Sequence, residues 1–295
     1  MNNEISKLQV SIIVPAYNEE YGISALLNDL LNVMKSRRDI EFEIIVVDDC
    51  SQDKTIEKIK KFTNKGIKLI CQKNNNGYGA AIKTGIKKAR YELIAIIDAD
   101  GTYPANRLPG LINYTKNYDM VVGARNGRNV KVPFVRRLPK IILNKYANYL
   151  TDYNIPDLNS GLRVFHKDIS ERFKNLLCNG FSFTSTITVA MISNNYRIKY
   201  ISIDYYKRKG KSKIRPIHDT INFFNLISRI TLYFNPLKVF APIALTFLTI
   251  GTTFLGYDLI FNKNISDKTI LTFFLGMQFW LIGTLADIII HQRQL

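Results

Sequence analysis

The sequence predicts an α/β protein with a mostly parallel sheet covered by helices on both faces, followed by two helices long enough to cross a bilayer. Three observations carry this. Up to about residue 125, Val- and Ile-rich runs alternate with amphipathic stretches, the pattern of parallel strands buried on both faces and joined by helices. Residues 239–257 ("VFAPIALTFLTIGTTFLGY") and 269–286 ("TILTFFLGMQFWLIGTLA") contain no charged residue, and each approaches the roughly 20 apolar residues a crossing needs. The residue types that chemistry requires fall at the ends of the strand-like runs, where open α/β sheets bind ligands.

In chain order, "VSIIVP" is the first strand and is followed by Pro15, Tyr17, Asn18 and Glu19. "ISALLNDLLNVMK" has the apolar spacing of a helix, and "FEIIVVDD" is a strand ending in Asp48 and Asp49. "TIEKIKKF", "IKLICQ" and "GAAIKTGIKKA" continue the alternation as helix, strand and helix. "ELIAIIDAD" is a strand closed by Asp98 and Asp100, "RLPGLINYTKN" a helix, and "MVVGAR" a fifth strand ending at Arg125. Residues 131–153 are basic and apolar at helical spacing, suited to a surface helix or one lying on headgroups. "IHDTINFFNLISRITLYFN" has the pattern of an interfacial helix leading into the bilayer.

The chain has 295 residues and a net charge of +17, so an anionic partner is expected: nucleic acid, membrane surface or phosphorylated substrate. Nucleic acid is disfavoured, because the basic residues concentrate beside the membrane spans and no aromatic stacking motif accompanies them. Cys50, Cys71 and Cys178 are odd in number and lack C-x-x-C pairing, which suggests neither a disulfide framework nor a zinc site. His166, His218 and His291 lack metal-binding spacing. "NNNGYGAA" holds only G-x-G, short of a dinucleotide fingerprint; its glycines are expected to let a loop approach a donor closely. The N-terminal stretch has no basic leader or long apolar core, so no secretory signal is expected. The short polar turn "NKNISDK", the Lys/Arg-rich preceding domain and Arg293 in the tail place both termini in the cytosol. Asp258 and Asp287 are expected to face headgroups.

"IIDADGTYP" asks what compensates two acids at the end of a buried strand. Asp and Gly close strands as ordinary turns, but adjacent hard oxygen ligands also suit a divalent cation carrying a phosphorylated ligand.

"VPAYNEE", "VVDDCSQD", "DADGTYP", "DLNSGLR" and "RKGKSK", in this order and followed by two membrane helices, closely resemble the family 2 glycosyltransferases that charge a polyprenyl phosphate, the dolichol-phosphate mannosyltransferase-like group. The resemblance covers nearly the whole chain. It implies a cytosolic GT-A domain at 1–215, an interfacial helix at 216–235 and a membrane domain at 236–295 with helices at about 237–261 and 269–290. It also implies an inverting reaction between a UDP- or GDP-linked sugar and an undecaprenyl- or dolichyl-type phosphate. By that similarity Pro15, Tyr17 and Glu19 line the nucleotide and Asp49 hydrogen-bonds the base. Asp100, supported by Asp98, holds Mg2+ or Mn2+ on the diphosphate; Thr102 stands where the mannosyltransferases often have Gln, so the third ligand is Thr102 or a water. Arg125, Ser160 and Arg163 match positions that meet the acceptor phosphate, and Arg208, Ser212 and Lys213 match the basic motif that closes over phosphates.

The chemistry agrees. A departing nucleoside diphosphate needs cationic stabilisation, and a phosphate monoester is ionised at neutral pH, so a strong general base is not required. "GFSFTSTITVAMI", where hydroxyl-glycosylating relatives would place one, offers only Ser and Thr, and no Q-x-x-R-W motif is present. Asp157 is left either to orient or activate the acceptor or to cap the turn before Ser160. The rival expectations are a family 2 enzyme acting on a hydroxyl and a non-catalytic relative that binds lipid phosphates. Gly251 and Gly256, or Gly276 and Gly283, offer surfaces for packing into a homo-oligomer, although their spacing is not small-x-x-x-small.

Overall fold

The computed structural model describes residues 7–127, 137–180, 182–208, 224–225, 228–229 and 231–292. Strands Leu8–Ala16 (β1), Ile40–Asp48 (β2), Ile67–Cys71 (β3), Leu93–Ile96 (β4), Met120–Ala124 (β5), Arg163–His166 (β6) and Ile198–Ser202 (β7) form one sheet in the order β3-β2-β1-β4-β6-β5-β7. The pairs β1–β2, β1–β4, β2–β3 and β5–β7 are parallel, as expected from the near-continuous Val/Ile runs. β6 alone runs against its neighbours, between β4 and β5.

Strand alternation divides the core into two layers. Val10, Ile12, Val14, Ile44 and Val46 pack on one side against the helix Ile23–Lys35 (α1), which buries Ile23, Leu26, Leu27, Leu30, Leu31 and Met34 at three- and four-residue spacing. Ile13, Ile45, Val47, Ile94 and Ile96 pack on the other, beneath the helices Tyr78–Lys88 (α3), Arg137–Thr151 (α5) and Phe183–Ser193 (α7). Thr55–Lys60 (α2), Leu108–Tyr114 (α4) and Lys167–Arg172 (α6) complete the described helices of this domain. Each fully buried Ile or Leu contributes roughly 1.5–3 kcal/mol, so these two layers, rather than the polar strand ends, hold the sheet together.

The reversed strand matters for function. Because β6 is antiparallel, Arg163 pairs with Ile96 and Val122. The loop before it, 157–162, therefore arrives at the carboxyl edge of β4 and β5, beside Asp98.

The C-terminal helices Leu237–Tyr257 and Asp267–Gln292 form an antiparallel hairpin, each long and apolar enough to cross a membrane. The glycines expected to serve contacts between subunits are mostly used inside it: Gly251 faces the Phe273 ring, Gly276 faces Leu248 and Gly283 faces Phe240. Asp258 does not turn to headgroups. It is buried and accepts from Asn262 Nδ2 (2.8 Å), Ser266 N (2.8 Å), Ser266 Oγ (2.6 Å) and Thr269 Oγ1 (2.6 Å), which ties the turn to the start of the second helix.

The hairpin is bolted to the sheet domain. Lys238 pairs with Asp152 at the end of α5, the Tyr149 hydroxyl donates to the Lys238 carbonyl at 3.3 Å, and Phe234 meets the Phe173 ring edge-on at 6.4 Å. Val239 packs against the second core layer. Of the expected interfacial segment 216–235, residues 224–225, 228–229 and 231–234 are helical. Asn235 follows them outside the helix, its N–H donating to the Thr231 carbonyl at 2.6 Å, and the other residues of the segment lie outside the described ones.

Candidate active site

The strand ends of β1, β2, β4 and β5 converge with the 157–162 loop and the segment after β7. At the end of β4 the chain turns through Gly101, whose φ of +70° suits glycine. This leaves Asp98 and Asp100 on the same edge. The Asp98 Oδ1 accepts from the Tyr78 hydroxyl at 2.7 Å. Burial, and then the charge of Asp100, push the Asp98 carboxyl up to about 6. An acid raised by burial and by a neighbouring acid's charge fits a divalent cation, which would favour its ionised form. Among the described residues no third His, Cys, Asp or Glu completes a cluster, so the other positions around an ion would fall to a diphosphate and water, as magnesium sites commonly arrange.

Thr102 is placed differently from expectation. It is fully buried, and its hydroxyl and backbone N–H donate to Asp100 Oδ1 at 2.6 and 3.1 Å. Its hydroxyl is spent on bracing the Asp100 carboxylate.

Gly161 closes over the first acid. A Cβ there would lie 2.1 Å from Asp98 Oδ2, and its N–H donates to the Tyr103 hydroxyl at 2.7 Å. We therefore expect Gly161→Ala to push Asp98 off its position, lowering turnover about 100-fold and costing about 1–3 kcal/mol of stability. Steady-state rates with a thermal melt test this; an unchanged rate shows that Asp98 need not be held there.

Asp157 and Arg125 form one unit. Asp157 is buried, its Oδ2 accepting from Arg125 Nε (2.7 Å) and N (3.0 Å) and its Oδ1 from Nη2 (2.7 Å). Burial alone would lower the Arg125 pKa, but Asp157 outweighs it and holds the guanidinium well above its ordinary value. The Tyr205 ring backs the same guanidinium at 5.3 Å and meets Tyr103 edge-on at 5.2 Å. Asp157 thus positions Arg125, and the structure does not turn it toward an acceptor.

Ser160 and Arg163, expected at the acceptor phosphate, lie beneath the edge. The Ser160 hydroxyl donates to the Gly123 carbonyl at 2.5 Å. Arg163 is fully buried and donates to the Ser160 carbonyl (3.1 and 2.5 Å), the Thr184 carbonyl (2.8 Å) and the Thr188 hydroxyl (3.0 Å). Burial lowers its pKa. The physical reason is strand alternation: at the first residue of β6 the side chain falls on the α7 face and anchors the loop from below.

On the donor side, Pro15 is the penultimate residue of β1, Tyr17 is half-buried and Glu19 is buried. The backbone N–H groups of Asn18 and Glu19 donate to Ser51 Oγ (2.9 Å) and Thr55 Oγ1 (2.8 Å), knitting the first strand-end loop to the second. Asp49 accepts from the N–H groups of Asn76 (2.9 Å) and Gly77 (2.8 Å), so both of its oxygens already hold that loop. The glycines of "NNNGYGAA" serve the protein itself: a Cβ at Gly79 would lie 2.3 Å from the Cys178 carbonyl oxygen, and Ala80 N donates to the Asn179 carbonyl at 3.0 Å. Arg208 pairs with Glu19 and approaches Asp100 Oδ2 at 3.7 Å. Ser212 and Lys213 lie outside the described residues. Tyr78, Tyr103, Tyr205 and Thr55 were not signalled by the sequence; only the nearness of Tyr78 to two glycines and of Tyr103 to the acids hinted at them.

A mixed, mostly parallel sheet with acids at the β4 end defines a glycosyltransferase of the GT-A class. Residues 11–173 match glycosyl transferase family 2, and the chain belongs to that family; residues 235–291 match the GtrB C-terminal hairpin. A dolichyl-phosphate beta-glucosyltransferase of Dictyostelium discoideum is 28% identical over 77% of this chain and 75% of its own. An undecaprenyl-phosphate 4-deoxy-4-formamido-L-arabinose transferase of Aeromonas hydrophila subsp. hydrophila is 27% identical over 98% of this chain and 90% of its own. Among solved structures, glucosyl-3-phosphoglycerate synthase from Mycobacterium tuberculosis, in complex with Mn2+, uridine-diphosphate and phosphoglyceric acid, superposes with a TM-score of 0.59 at 14% identity, over 76% of this chain and 78% of that one.

Proposed function

We propose that the enzyme transfers one sugar, with inversion, from a UDP- or GDP-linked donor to an undecaprenyl- or dolichyl-type phosphate at the cytosolic face of a membrane. The observation that carries this reading is the pairing of Asp98 and Asp100 with a clamped Arg125 on one edge, where the described acids are engaged by Tyr78, Thr102, Arg125 and Arg208. Mg2+ or Mn2+ held by Asp100, with Asp98 behind it, would supply the Lewis acid for the departing nucleoside diphosphate. Pro15, Tyr17 and Glu19 form the nucleotide wall, and Asp49 fixes residues 76–77 beside it. Arg208 stands next to the leaving group, with Ser212 and Lys213 following it in sequence.

Arg125 receives the acceptor phosphate. Its bidentate clamp on Asp157 and its seat on Tyr205 fix the fork in advance, so little rotamer freedom is lost on binding. Ser160 and Arg163 act through the shape of the loop. A phosphate monoester needs no proton removed to attack, which suits the hydroxyl side chains of α7 and an Asp157 committed to Arg125. The two polyprenyl-phosphate relatives support the acceptor class. The same reading divides the chain into a catalytic domain at 1–215, an interfacial helix at 216–235 and a bilayer-spanning domain at 236–295, with both termini cytosolic; the charge-free runs 239–257 and 269–286 and the short polar turn between them support this.

The test is a membrane-fraction assay with Mg2+ or Mn2+, labelled UDP- and GDP-sugars and a short polyprenyl phosphate, following label into the organic phase. Transfer of one sugar, lost on chelation, is expected. Label passing instead to a hydroxyl lipid or glycan overturns the acceptor assignment, and absence of any transfer favours a lipid-phosphate-binding relative.

A further inference from the structure

The donor edge already contains a cation of its own. Arg208 places Nη2 on Glu19 Oε1 and Nη1 at 3.7 Å from Asp100 Oδ2, with its side chain 23% exposed. The approach is fixed by the backbone: two residues earlier, Tyr206 N donates to the Thr102 carbonyl at 2.9 Å, which attaches the segment after β7 to the turn that carries Asp100. The Arg208 Nε is buried and has no hydrogen-bond partner among the described residues. Two carboxylates therefore neutralise the guanidinium without satisfying all its donors, an arrangement that leaves part of its desolvation uncompensated.

We propose that Arg208 is an internal stand-in for the divalent cation. In the donor-free enzyme it neutralises Asp100 and Glu19, and it yields that place when a metal-bound nucleotide sugar arrives. The inference rests on the metal reading of Asp98 and Asp100. A guanidinium and a divalent ion on the same carboxylate repel each other strongly in a partly dry site, so the two occupancies exclude one another. The incoming diphosphate resolves the conflict, because its oxygens offer the displaced guanidinium charged acceptors, including one for the orphan Nε. One residue then has two partners in succession, acids first and phosphate second. A free ion is held weakly until the donor brings it, which makes metal and donor binding cooperative in the sense of a shared coupling free energy.

The experiment is a Mn2+ titration of the full-length protein in detergent micelles without nucleotide, following free Mn2+ by electron paramagnetic resonance. Arg208→Gln is expected to bind Mn2+ about tenfold more tightly than the wild type, as loss of one nearby positive charge predicts. Arg208→Lys, which keeps the charge, should stay close to wild type, and Asp100→Ala added to Arg208→Gln should abolish the gain. Arg208→Met provides a second neutral variant should Arg208→Gln fail to fold, judged by a thermal melt. Equal Mn2+ affinity in wild type and neutral variants, with binding still dependent on Asp100, overturns the stand-in role and leaves the metal reading intact. No Asp100-dependent Mn2+ binding in any variant, with or without added nucleoside diphosphate, overturns both.

Discussion

Replacing Asp100 with Ala is expected to abolish sugar transfer, lowering turnover by about 1,000-fold or more, the scale that follows when the group proposed to hold a cation on a leaving diphosphate is removed. The fold survives. Among the described residues Asp100 accepts hydrogen bonds from Thr102 and lies 3.7 Å from Arg208. Losing those contacts costs about 1 kcal/mol, and removing a second acid beside Asp98 offsets part of that. A rate assay alongside a thermal melt separates the two effects. Turnover that persists in this variant, or in wild type with chelator, sinks the assignment of the strand-end acids to a metal.

Arg163→Ala is expected to act through stability. The substitution leaves a cavity and strips donors from the Ser160 carbonyl, the Thr184 carbonyl and the Thr188 hydroxyl. The combined loss is about 3 kcal/mol, a fall of roughly 10 °C in Tm for a domain of this size. Arg163→Met refills part of the volume without burying a charge and should recover part of the melt, while the Ser160–Gly161 turn remains unanchored and activity low. A normal Tm in Arg163→Ala, with only the acceptor KM raised, would return Arg163 to the phosphate.

The sheet was legible because its strands bury both faces. "VSIIVP" and "FEIIVVDD" admit few other readings, and acids at the ends of such runs have to be accounted for. The direction of β6 was not legible: four residues after a Gly-containing loop carry no sign of which way they run, and strand direction decided that Arg163 points into the core. The choice between Thr102 and a water was not legible for a related reason. A threonine two residues past Asp100 fits either a ligand or a hydroxyl that braces the acid, and only burial distinguishes them. The tyrosines were hidden by distance along the chain, since Tyr78 reaches Asp98 and Tyr205 reaches Arg125 across gaps that no local pattern spans. The glycines of "NNNGYGAA" do mark a close approach, but the partner at Gly79 is the protein's own 178–180 loop, and Gly161, which packs on Asp98, gave no signal in the sequence.

The joint at Tyr149, Asp152, Phe173, Phe234 and Lys238 makes the hairpin a lever. A domain on a loose linker would ride level however its anchor leaned. Here the anchor is bolted to α5 and to the second core layer, so a change in helix tilt would reach the catalytic edge as rotation. Spanning helices adjust their tilt to bilayer thickness; with the hairpin in a bilayer, acyl-chain length would become a variable that sets how the active edge meets the headgroups.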